Sequence, residues 1–496
     1  MTPSLAASKK GRNAAGASRR NVLKAGAALL AGGAAANGMP ASVQAQDTGD
    51  PELARLQRGR RILLQGGIVL TLDRQLGDFA QADVLIENGR IREVRPGVAV
   101  SEDTAVIDAA NRILIPGFID THSHSYQGIL RNILCNGQVD PDYNRDILGT
   151  LTPAFTPDDA YIGMLATVLG MIEAGTTGVV DVSQVNHTPE HSDALVRALA
   201  ESGIRAVFAY SRGQGPAAQY PQDLARLLRT YFSSRDQLLT LALGGGADRG
   251  RFELARAAGV PMVVHLRNVL PQRNDGDKLA ELARAGLMRA GDEYIHCLDL
   301  PDETWRLIRD TGGRVSLSPP IEMSMGHGKP AIQQALDHGL RPSLSSDHAV
   351  TITSEFFTLM RSTFIAQRYF VLQRGREGGQ NLPALLKSRD VLEFATMEGA
   401  RCANLDDKVG TLAPDKEADI VMLRADRLDV WPINNVPGLV ANLMGTGHVD
   451  TVFIAGKVRK WRGRLVNVDE ARIRRQMQQS RDAVVRRSNF KLDLFG

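Results

Sequence analysis

The sequence predicts an α/β chain: a closed barrel of eight β/α units, with a small β-sandwich drawn from both flanks of the barrel. Three observations carry this. Between Pro116 and Asn404, short apolar runs alternate with amphipathic stretches. Before Pro116, apolar runs are separated by turn residues and show no helical period. After Asn404 the same β pattern returns.

Eight strands are read in the alternating region: Phe118–His122, Gly178–Val182, Ala206–Tyr210, Leu239–Leu243, Pro261–Leu266, Tyr294–Cys297, Arg314–Ser318 and Pro342–Asp347. Amphipathic segments lie between them, among them Pro157–Ala174, His191–Glu201, Gly276–Arg289, Asp302–Thr311 and Ala331–His338. Eight such units within residues 117–404 match a (β/α)₈ TIM barrel. A doubly wound open sheet shares the alternation and is the other option. In the first flank, Asn88-Gly89 between apolar runs marks a hairpin, because both turn positions favour φ > 0. Residues 59–116 and 405–467 are expected to combine into the sandwich. In the remainder, 468–496, the Arg-rich Glu470–Arg487 reads as a solvated helix followed by a tail. It lacks the aromatic interleaving of a nucleic-acid surface, so no nucleic-acid partner is expected.

The formal net charge of +4 does not alter that reading. Residues 1–45 hold six basic residues (Lys9, Lys10, Arg12, Arg19, Arg20, Lys24) and no acidic one, so the rest of the chain is mildly acidic. Ser18-Arg19-Arg20-Asn21-Val22-Leu23-Lys24 resembles a twin-arginine signal. The apolar run Ala25–Ala36 is too short and too weakly hydrophobic for a stable membrane span. Val43-Gln44-Ala45 offers a small-residue cleavage site. The expectation is a signal peptide over 1–45, a linker over 46–58, passage through the twin-arginine export machinery and a periplasmic location. Cys135, Cys297 and Cys402 are odd in number and widely spaced, which excludes a disulfide framework and fits small apolar side chains.

The chemistry is concentrated at strand ends. In Gly117-Phe118-Ile119-Asp120-Thr121-His122-Ser123-His124, two imidazoles stand two residues apart, and strand alternation turns both to one side. His265, His296 and Asp347 close three other apolar strands in the same manner. Barrel enzymes carry their active residues on that rim. Imidazoles with one carboxylate suit a divalent metal ion, zinc first and ferrous iron next.

On these residues the chain resembles the amidohydrolase superfamily, on the branch of cytosine deaminase and the triazine chlorohydrolases. The likeness runs from Arg60 to Val466. Pro116–His124 is similar to the family's most specific motif, and Val409-Gly410-Thr411-Leu412 with Lys416–Val421 is similar to the motif of its returning sandwich. The resemblance implies that His122, His124, His265 and Asp347 ligate the metal. It implies that His296 hydrogen-bonds the attacking water or the substrate carbonyl, and that Asp347 also takes the water's proton. Relatives with two ions use a carboxylated lysine or a glutamate from the fourth strand. Thr240-Leu241-Ala242-Leu243-Gly244-Gly245-Gly246 supplies neither, so one ion is expected.

One departure matters. The deaminase branch has His-x-x-Glu after the fifth strand, whereas this chain reads His265-Leu266-Arg267-Asn268. Asn268 can orient a substrate but cannot transfer a proton. Glu322, His327 and His348 are the candidate replacements, and Gln127 and Arg131 are placed to grip a polar or anionic substrate. The expected function is hydrolysis of a C–N bond (amide, urea-like or cyclic amide) in a small cyclic substrate. A heterocyclic aminohydrolase using Glu322, and an exported protein that binds a ligand or metal without turnover, are the alternatives. The sequence leaves the assembly state open, a homo-oligomer included.

Overall fold

Residues 50–267 and 275–495 are described by the structure, a computed structural model. The expected signal peptide over 1–45 and Asn268 lie outside them. The first flank folds as β1 (Arg61–Val69), β2 (Phe79–Glu87), β3 (Arg90–Arg95), β4 (Ala105–Asp108) and β5 (Arg112–Pro116). The β2–β3 hairpin turns at Asn88 (φ 51°) and Gly89 (φ 82°), with Glu87 opposite Arg90.

The barrel strands are β6 (Phe118–Ser123), β7 (Thr176–Asp181), β8 (Arg205–Tyr210), β9 (Leu239–Gly245), β10 (Met262–Arg267), β11 (Glu293–Leu298), β12 (Arg314–Leu317) and β13 (Ser343–Leu344). They pair in parallel, each with its sequence neighbour. The seam between β13 and β6 is bridged by main-chain bonds, from Asp347 N–H to His122 O at 2.9 Å and from His124 N–H to Asp347 O at 2.6 Å. Inside the seam, Thr121 Oγ1 lies 2.7 Å from Ser316 Oγ and 2.8 Å from Ser343 Oγ. Short hydroxyl side chains let three strands approach where a branched apolar side chain would fill the space.

The second flank adds β14 (Ile420–Arg424), β15 (Val449–Ile454), β16 (Lys457–Trp461) and β17 (Arg464–Leu465). Antiparallel pairing of β14 with β5 joins both flanks in one mixed sheet of nine strands. This sheet has its own apolar core, including Leu64, Val84, Ile86, Leu114, Ile420 and Phe453. A buried ion cluster ties it to the barrel. Arg205, at the start of β8, donates to both oxygens of Asp419 (2.9 and 3.0 Å) and to Glu417 Oε2 (2.7 Å). The charged residues of the Lys416–Val421 segment therefore have a packing reason.

Two expectations change. The end of the predicted 46–58 linker is a helix, Pro51–Arg58, capped by Asp50 and burying Leu53 and Leu56 against the flank sheet. The C-terminal helix, Glu470–Ser488, is not simply solvated. Ile473, Ser480 and Val484 are buried, and Arg487 and Ser480 both bond Asp159 of helix Pro157–Glu173. Its many arginines concealed this narrow inward stripe. Among the described residues, no helix is long and apolar enough to cross a membrane.

Candidate active site

Strand ends deliver the polar groups to one place. His122 and His124 leave the end of β6, His265 leaves β10, His296 leaves β11, and Asp347 follows β13. The ligand atoms of His122, His124 and His265 lie within 4.8 Å of one another, as do those of His122, His296 and Asp347. Asp347 Oδ1 stands 3.2 Å from His122 Nε2 and 3.4 Å from His124 Nε2. Ligands about 2.0–2.1 Å from a tetrahedral ion are about 3.3 Å apart, so this spacing fits one ion at their centre. Nδ1 of buried His122 has no hydrogen-bond partner, a cost in a core that a metal would remove. The donor set of imidazoles and a carboxylate fits zinc or ferrous iron.

Surrounding groups aim the ligands. His124 Nδ1 donates to Val182 O at 2.6 Å, which leaves the Nε2 lone pair facing the centre. Burial, helped by neighbouring His122, lowers His124 to about 3, so the ring is neutral and ready to ligate. Burial alone would raise the Asp347 carboxyl, but His348, His122 and His296 outweigh it and hold Asp347 well below the usual carboxylate range. Behind the centre, Asp120 accepts from the main-chain N–H of His122 (3.2 Å) and Ser346 (3.0 Å), joining β6 to the segment that carries Asp347. Burial raises Asp120 to about 6, against the pull of Ser346 and His122.

The centre opens on a cavity of about 910 Å³ whose wall includes His124, Tyr143, His265, His296, His327 and Asp347. His348 also lines it, stacked 4.9 Å from the Tyr143 ring. His327 is buried there, its ring 5.3 Å from that of His296. The end of β9 contributes the bare shelf Gly245-Gly246.

Three sequence expectations are corrected. Gln127 does not line the cavity, because its amide donates to Tyr143 OH (2.8 Å) and Tyr126 OH (3.0 Å) behind the wall. Arg131 turns to helix Pro157–Glu173, where its guanidinium donates to Ala166 O at 2.7 Å. Glu322 is fully buried and stands behind His296 rather than in the wall, its Oε1 3.0 Å from His296 Nδ1. Asn268 lies outside the described residues. The sequence reading passed over Tyr143 and Asp120. Tyr143 sits in an irregular helical stretch, Val139–Leu151, with no periodic signal, whereas Asp120 was visible within the His-x-His motif.

With this geometry established, comparison with known proteins gives the class. Residues 113–459 match the amidohydrolase family, and the chain belongs to it. It is an enzyme of that class, a hydrolase acting on carbon–nitrogen bonds other than peptide bonds. The chain is similar to the 5-methylthioadenosine/S-adenosylhomocysteine deaminase of Caldicellulosiruptor saccharolyticus, 25% identical over 430 residues, covering 82% of this chain and 95% of that protein. It is 24% identical over 447 residues to the 5'-deoxyadenosine deaminase of Methanosarcina mazei, covering 86% and 99%. Among solved structures, a zinc-bound adenosine deaminase from Xanthomonas campestris matches with a TM-score of 0.74 at 20% identity, covering 85% of this chain and 98% of that one. Atrazine chlorohydrolase from Arthrobacter aurescens, complexed with zinc, matches at 0.74 and 22%, covering 85% and 100%. These two share the fold.

Proposed function

We propose that the chain hydrolyses a C–N bond (amide, urea-like or cyclic amide) of a small cyclic substrate, using water activated at His122, His124, His265 and Asp347. The observation that carries this is that those four side chains, with His296, form two overlapping clusters that share buried His122, and all of them but His122 line one cavity. The group they would hold is a single divalent ion, zinc before iron, because β9 runs out through Gly244-Gly245 into Gly246 and offers no lysine or glutamate for a second. When bound, such an ion lowers the pKa of water toward ~7 and polarises the scissile bond.

The chain's own residues supply the rest. Asp347, held ionised by its neighbours, accepts the proton of the attacking water. His296, with Nε2 3.7 Å from Asp347 Oδ2, faces the point where negative charge develops on the substrate oxygen. Asn268 cannot give the departing nitrogen the proton it needs, so Asp347, which has taken a proton from the water, returns it to that nitrogen as the C–N bond breaks.

A second reading, deamination of an amino-heterocycle, is favoured by the names of the relatives and by the Glu322–His296 pair. Burial, with ionised Asp347 adding to it, lifts Glu322 to about 8, so it carries a proton near neutral pH that His296 could relay. The test is a hydrolysis screen of the zinc- and iron-loaded protein against amides, ureas, lactams and amino-heterocycles, with 5'-deoxyadenosine included. Cleavage of an amide, urea or lactam supports the first reading, and ammonia release from an amino-heterocycle supports the second. Tight binding without turnover across the panel would overturn both in favour of a non-catalytic binding protein. Metal analysis of the same sample should find one ion per chain. Export by the twin-arginine route is also proposed, supported by the order of arginine pair, apolar run and small-residue site in residues 18–45.

A further inference from the structure

His296 sits at a forced point in the chain. It and the next residue, Cys297, both have positive φ (66° and 51°), at the place where the β10–β11 register slips from Leu266↔His296 to Arg267↔Leu298. That region is unfavourable for a residue with a side chain, so the backbone is held there by its surroundings. This bulge turns the imidazole into the barrel mouth but does not choose the ring's rotation about χ2.

Glu322 supplies that choice. It lies on the short helix Pro319–Ser324 that follows β12, with no exposed surface. Its Oε1 is fixed by the Ser318 N–H at 2.9 Å and meets His296 Nδ1 at 3.0 Å. Oε2 is equally buried and has no hydrogen-bond partner. A buried carboxyl with one oxygen unsatisfied weakens a fold, and an apolar side chain of similar volume would serve packing better. The group is explained by what Oε1 does. With Nδ1 engaged, only Nε2 is left to face Asp347, 3.7 Å away, and the cavity.

We propose that Glu322 is a positioning residue: through Oε1 it fixes the ring plane of His296, so that Nε2 faces the metal-binding cluster and the cavity. It acts on the substrate only through His296. The idea that His296 is catalytic rests on the hydrolytic reading above, but the orientation itself does not.

The test therefore has two arms. The first needs no substrate: ¹⁵N-histidine spectra of zinc-loaded wild type, Glu322→Leu and Glu322→Gln, with the His296 signals assigned by their loss in His296→Gln. One defined tautomer is expected for His296 in wild type and in Glu322→Gln, whose amide can still bond Nδ1, and averaged signals in Glu322→Leu. In the second arm, with the substrate found in the screen, Glu322→Leu should lower kcat about 10–100-fold with KM nearly unchanged, and Glu322→Gln should restore most of it. Zinc content and melting temperature should not fall in Glu322→Leu. Unchanged His296 signals in Glu322→Leu would overturn the proposal, as would a Glu322→Gln variant no more active than Glu322→Leu. Loss of zinc from Glu322→Leu would also overturn it, since the effect would then pass through the ligands. If Glu322→Leu fails to fold, Glu322→Gln decides alone: a changed His296 tautomer sinks the idea. If no compound is turned over, the spectra still judge the positioning, so its failure and that of the hydrolytic reading are told apart.

Discussion

Asp347 and Asn268 divide two kinds of work that one pattern of conservative substitution separates. Asp347 touches two imidazoles of the cluster and is held ionised, which suits the proposed double role of ligand and base. Asp347→Asn keeps the shape and removes the basicity, and kcat should fall by about 10²–10⁴-fold or more. Asn268→Ala should instead raise KM by about 3–10-fold, the size of one lost hydrogen bond of about 0.5–1.5 kcal/mol, with kcat at saturation little changed. Equal losses of kcat in steady-state assays would remove Asn268 from a purely orienting role. Glu322 gives a pH prediction of definite sign. Its folded value, raised to about 8 by burial, lies above the ordinary value of 4.5, so between these values the folded state binds the extra proton. Stability then falls as pH rises through that window, because the unfolded chain releases that proton to water while the buried carboxyl must keep it. Melting curves of metal-free wild type and Glu322→Gln should diverge between about pH 5 and 8, wild type losing stability relative to the variant. The residues at the centre were legible because strand-end histidines are rare and chemically specific. The roles of Glu322, Gln127 and Arg131 were not, because each depends on which way a side chain turns off its helix or loop.

At the scale of elements, the eight barrel strands were legible because a parallel strand buried on both faces has to be a short, nearly continuous apolar run. Val179-Val180 in β7 and Met262-Val263-Val264 in β10 are such runs. The eighth strand is the weakest match: only Ser343–Leu344 is paired in it, and Asp347 bends away at φ 58° after the strand ends. Its length was overestimated because a run of serines keeps strand-like polarity while its hydroxyls satisfy neighbours across the seam. The pairing of two flanks 300 residues apart followed only from the return of a β pattern, and its order was beyond reach, since no local signal says that β14 joins β5. The Asn88-Gly89 turn is where local chemistry and long-range packing meet. A Cβ on Gly89 would lie 2.8 Å from Ala455 O, in a residue already at φ 82°. Gly89→Ala should therefore destabilise the protein by about 1–2 kcal/mol or more through backbone strain, with a lower melting temperature and unaltered metal content.

For the whole molecule, the order of folding, metal loading and export is the question that the sequence poses most sharply. The proposed metal ligands come from β6, β10 and the segment after β13, more than 220 residues apart at the extremes, so the cluster exists only once the barrel is closed. A chain threaded unfolded across a membrane would have to find its ion afterwards, whereas one exported folded would carry it across. The proposed twin-arginine signal suits the second order, and Arg19-Arg20 is the part of residues 1–45 that resembles it. Arg19→Lys combined with Arg20→Lys preserves the leader's charge and its apolar run, so it changes recognition of the pair and nothing else in the leader's physics. The double variant should accumulate in the cytoplasm at its unprocessed length, folded, and with one metal ion per chain. Fractionation with immunoblotting, followed by metal analysis of the cytoplasmic pool, checks each part. Full delivery to the periplasm despite both substitutions would reject the arginine pair as the signal. A cytoplasmic pool that is folded but metal-free would leave the route intact and place metal loading after export.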